Sequence, residues 1–119
     1  MIRRYLPSTL PRLAEQWDAE QWDADGPEVL DAVVAEDDGE ETEYAALMTA
    51  ADASAELLAG LPDGRRRRVV VVVETGAVAD PVSWRDVVAV HVDDRDDARP
   101  DDDLAWWATQ EIGDLLASL

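Results

Sequence analysis

Apolar and polar positions alternate weakly from Ile2 to Leu6 until Pro7 interrupts them, a pattern that predicts a short first strand. From Leu10 the spacing becomes helical, with Leu10, Leu13, Ala14 and Trp17 on one face. Ser8 or Thr9 can cap that helix, and Pro11 is tolerated in a first turn whose N–H groups have no intrahelical partner. The pentad AEQWD then occurs twice, at Ala14–Asp18 and Ala19–Asp23. Five residues is not a helical period, so on a continued helix Trp22 points about 140° away from Trp17. The duplication is expected to extend the helix end, with Trp22 as a candidate surface contact.

A turn signal at Asp25–Glu28 leads into VLDAVVAE, whose β-branched content predicts a second strand. Glu36–Glu41 reads as a solvated acidic loop. Thr42 then opens the best helical pattern in the chain. Tyr44, Leu47, Met48, Ala51, Ala55 and Leu58 form its apolar stripe, and Gly60 and Pro62 close it. Beyond a turn lies RRRRVVVVVE, a continuous valine run flanked by charge, as expected of a strand covered on both faces. Val87–Val92 predicts the last strand, after a turn that Ser83 can cap. A final helix is expected after Pro100, with Asp101 as N-cap and Asp102 and Asp103 at the positive end of its dipole. Its core face would be Leu104, Ala108, Ile112, Leu115 and Leu119. The order β-α-β-α-β-β-α implies a single α/β domain over residues 1–119. Its sheet would be mixed, with about four strands covered by three helices and acidic loops near 36–41 and 93–103.

Composition adds limits. The formal net charge is -18, and all ten basic residues are arginine. That charge disfavours binding to nucleic acid or anionic membrane, which depends on cations neutralising phosphates, and leaves a basic protein as the expected partner. High-GC coding bias, with or without salt adaptation, is the first account of the acidity; imitation of nucleic acid or docking on a basic partner is the functional one. The longest apolar run is the five valines from Val69, against the roughly 18 residues that span a bilayer. No apolar stretch follows the arginines of the first residues, so no signal peptide is expected. The absence of cysteine removes thiolate chemistry and disulfides. Together these features point to the cytoplasm, with no cofactor indicated.

Candidate chemistry concentrates in HVDDRDDARPDDDLAWWATQE, from the lone His91 to Glu111. On a strand ending there, Val87, Ala89, His91 and Asp93 share a side, so His91 and Asp93 could form a base oriented by a carboxylate. No recognisable nucleophile motif accompanies them, and the bland reading is a polar joint between a strand and a helix. Asp94, Asp96 and Asp97 offer oxygen ligands for a hard cation, but the calcium-loop spacing fails. Arg66 and Arg68 are candidate anion ligands; internal pairing with carboxylates is the simpler account. Trp22, Trp84 and Trp106 are the candidate interface anchors.

YLPSTL, ETEYAALMTAADAS, RRRVVVVVE, WRDVVAVHVDD and DLAWWATQEI, in that order, resemble an uncharacterised family of small actinobacterial proteins. The likeness covers roughly half the chain. It implies a single cytoplasmic domain from a high-GC bacterium and carries over no functional residue. The expected function is a non-enzymatic, acidic protein-interaction domain. The alternative is a small enzyme or a ligand- or metal-binding domain using His91, Asp93 and a nearby arginine.

Overall fold

Val69 to Val73 form most of the central strand of a five-stranded sheet. The computed structural model describes residues 1–19, 22–23, 26–61, 66–96 and 98–118. In chain order its elements are β1 (Ile2–Ser8), α1 (Leu10–Trp17), α2 (Pro27–Leu30), β2 (Val33–Val34), α3 (Glu40–Ala59), β3 (Val69–Thr75), β4 (Val87–Val92), β5 (Ala105–Ala108) and α4 (Ile112–Ala117). The strands lie in the order β2-β1-β3-β4-β5.

The expected α/β class holds, but the sheet is not mixed: every strand pair is antiparallel. α3 returns the chain to the far end of β1, where Ser8 pairs with Val69, so β3 must run back along β1. A parallel pair would have needed a crossover to the near end.

The alternating valines of β3 feed two layers. Val69, Val71 and Val73 pack with Leu6, Leu10, Leu13, Trp22 and Ile112, on the side of α1 and α4. Val70 and Val72 pack with Tyr5, Ala46, Ala50 and Ala51 beneath α3. The buried face of α3 is rotated from the predicted stripe: Ala46, Ala50, Ala51, Ser54 and Leu58 point inward, while Tyr44 and Ala55 are exposed. Small side chains let the helix backbone approach the sheet. Ser54 uses that proximity, its Oγ donating to the Ser8 carbonyl at 2.7 Å and accepting from the Val69 N–H at 2.9 Å.

Several local expectations hold. Thr9 caps α1 by accepting from the Arg12 N–H, and Ser83 with Asp86 caps the single 3-10 turn before β4. Others change for tertiary reasons. β1 runs through Pro7 to Ser8, because β2 pairs only with Arg4 and Tyr5 and leaves Pro7 beside a free edge. Most of the predicted second strand is instead α2 and a turn, with Val29 and Leu30 N–H groups bonded to the Gly26 carbonyl; only Val33 and Val34 pair. α1 stops at Trp17 rather than continuing through the second pentad, whose Glu20 and Gln21 lie outside the described residues. Pro62, Arg65 and Leu119 also lie outside them.

The predicted last helix divides. Ala105–Ala108 becomes β5, pairing with Ala89–Val92, a 3-10 turn follows at Thr109–Glu111, and only Ile112–Ala117 is α-helical. The outer edge of β4 carries buried backbone that needs partners, and two adjacent tryptophans suit a pleated surface. Among the described residues no helix is long and apolar enough to cross a membrane.

Candidate functional site

β3 and β4 end side by side, which brings Arg68 and Asp93 together. The Arg68 N–H and Nε–H donate to Asp93 Oδ2 at 2.8 and 2.9 Å, and its Nη2 donates to Oδ1 at 2.8 Å. The Asp93 N–H returns a bond to the Arg68 carbonyl at 3.1 Å. Two further guanidinium N–H groups, on Nη1 and Nη2, reach the carbonyls of Pro100 and Asp102, both at 2.9 Å. The two side chains are only 5% and 1% exposed, so this is a buried bidentate ion pair with four of the five guanidinium N–H groups bonded. The Asp93 carboxylate raises the Arg68 pKa against the opposing effect of burial.

This pair organises the acidic segment after β4. Arg67 pairs with Asp96 at 3.0 Å, and Arg95 with Asp102 at 2.8 Å. Asp102 is held below the ordinary carboxylate range chiefly by the Arg99 N–H, with Arg95 assisting. Beside the pair lies a cavity of about 290 Å³, lined by Arg66, Arg68, Asp93, Asp52, Leu58 and Pro100 among others; His91 is not in its lining. Of the two arginines singled out in the sequence, Arg68 is committed internally and Arg66 is exposed.

His91 and Asp93 share no hydrogen bond. The predicted alternation fails at one point: a bulge between Val72 and Val73 leaves Val88 without a partner, so Val87 joins Val90 and Val92 in the core. His91 lies between Val70 on β3 and Trp106 on β5. Burial alone pushes its imidazole below the ordinary histidine value, so the neutral form is favoured.

Asp94 and Asp96 are exposed, and Asp97 lies outside the described residues. Among the described residues no group of three or more His, Asp or Glu side chains is arranged to hold a metal ion.

The three tryptophans separate. Trp22 is 3% exposed and belongs to the core, which corrects its expected surface role: its backbone N–H donates to the Val82 carbonyl, and this folds the chain back instead of prolonging α1. Trp84 is half-buried, donates its Nε1–H to the Gln16 carbonyl, and meets the rings of Trp17 and Trp22 at 5.0 and 4.7 Å. Trp106 is 61% exposed on the outermost strand. Tyr44, which its helical spacing placed in the core, stands at the surface and donates its hydroxyl to Asp103 at 2.8 Å. Three glutamates in the first turn of α3 were the sequence signal that this turn faces water.

A family model described as a family of unknown function (DUF6912) matches residues 2–101, in keeping with the resemblance noted from the sequence. No curated protein and no solved structure matches.

Proposed function

We propose that this chain, which belongs to the family of unknown function DUF6912, is a non-enzymatic cytoplasmic interaction domain that docks a basic partner protein on its β5 side. The observation that carries this reading is Trp106, a large aromatic 61% exposed on a strand with one edge unpaired among the described residues. An edge strand offers backbone groups for pairing, and a tryptophan beside it offers an anchor. Asp101 and Asp103 precede this strand and Glu111 follows it, all exposed, so acidic residues flank it in sequence on both sides. The net charge of -18 would steer a basic surface toward it.

The enzymatic alternative loses support at Asp93, because a carboxylate bound on both oxygens by Arg68 is not free to orient His91. The test is capture of partners from lysate of the source organism by the parent protein and by Trp106→Ala, at about 50 and 500 mM salt, a range over which Debye screening shortens several-fold. A stoichiometric basic protein held at low salt, released at high salt and lost with Trp106→Ala supports the proposal. Binding unaffected by either change overturns it.

A further inference from the structure

Arg4 lies in the middle of β1, paired with Val73 on one side and Val34 on the other, and is 2% exposed. Its Nη2 donates to Thr75 Oγ1 at 3.1 Å and to the Asp80 carbonyl at 2.8 Å, while its Nε–H is buried without a partner. Among the described residues it forms no ion pair. Two acidic groups are engaged elsewhere: Glu28 is taken on one oxygen by Arg12 Nε at 2.6 Å, its other oxygen buried without a partner, and the half-buried Asp80 directs its carboxylate to the Ala77 N–H at 2.8 Å. An unpaired guanidinium is costly to desolvate, in a chain holding 28 acidic residues that could have served it.

Arg4 lines a cavity of about 310 Å³, whose other walls are Val29, Leu30, Val78, Ala79, Pro81 and Val82, with Asp80 supplying the carbonyl that holds Arg4. Leu30 and Val78 are 68% and 55% exposed, unusual for large apolar side chains that line a concavity. The arginine is held by a built turn: Thr75 accepts from it while donating to the Ala77 carbonyl at 2.9 Å. An apolar hollow with a single convergent cation, at the small end of the roughly 300–1,000 Å³ that houses small molecules, has the form of a ligand site.

We propose that this cavity binds a small aliphatic carboxylate, its oxygens accepting from Arg4 and its chain lying against Leu30 and Val78. A planar carboxylate matches one guanidinium, whereas a phosphate carries more charge and more acceptor oxygens. The lining described offers no second cation for it.

The experiment titrates the full chain with acetate, butyrate, hexanoate and inorganic phosphate at fixed ionic strength. It follows the melting temperature together with the NMR signals of the Arg4 Nε–H and of the Val78, Ala79 and Val82 amides. Hexanoate is expected to move these signals, with affinity rising about fourfold per methylene added. At roughly ten times its dissociation constant it should raise the melting temperature by about 3–6 °C. Arg4→Met should abolish binding. Val78→Asp, at an exposed position that leaves the core intact, should weaken it by placing a negative charge at the cavity wall, and so carries the test if Arg4→Met does not fold. Three outcomes would overturn the proposal: no response to hexanoate, equal binding by Val78→Asp and the parent, or phosphate binding as tightly as hexanoate.

Discussion

Arg68 and Asp93 are joined twice, once through backbone N–H to carbonyl and carboxylate bonds and once through a bidentate side-chain pair, at the point where β3 and β4 end. The same guanidinium holds the carbonyls of Pro100 and Asp102, so one residue closes the sheet and fastens the acidic segment that leads into β5.

Removing either partner should therefore cost more than losing a surface pair. Asp93→Ala strands a buried guanidinium, and a loss of about 3–5 kcal/mol is expected. Urea denaturation measures it. A change below about 1 kcal/mol, the size of an exposed pair, would contradict the clamp.

Acid should weaken the fold through His91. Burial depresses its folded-state pKa below the ordinary histidine value of 6.5, so above that value the residue is neutral in both states and contributes nothing. As pH falls through it, the unfolded chain takes the proton first and stability drops, levelling only once the folded group also protonates. The urea midpoint should decline between about pH 7 and pH 5, and His91→Gln should remove part of that decline. An identical profile in the variant would show that His91 is not the source.

Trp22 and Trp106 should respond oppositely to truncation. Trp22→Ala empties a buried site beside Trp84 and should cost about 3–5 kcal/mol. Trp106→Ala removes a ring already in water and should stay within about 0.5 kcal/mol. Equilibrium unfolding of both variants separates the two roles, and equal losses would contradict them.

Ser54 ties α3 to the β1 and β3 ends. Ser54→Ala leaves the buried Val69 N–H without its acceptor, so a loss of about 1–3 kcal/mol is expected. Amide exchange should localise the effect, with Val69 losing protection before Val72.

What the sequence determined by itself is what short-range physics controls. The valine run, the long helix after the acidic loop, the cap at Ser83 and the polar character of the 93–103 segment each rest on neighbours a few residues away, and each stands in the structure. The tertiary structure decided the rest, because the same residues satisfy more than one local pattern. Leu104, Ala108 and Ile112 fit a helical face, yet Ala105–Ala108 is a strand because the outer edge of β4 needs hydrogen-bond partners. Trp22 looked outward on a prolonged helix and is buried because the chain turns back onto Val82. Arg68 and Asp93 lie 25 residues apart, and Arg4 and Asp80 lie 76 apart. No local periodicity encodes such meetings; they arise from the register of antiparallel strands, which the packing of the whole sheet sets.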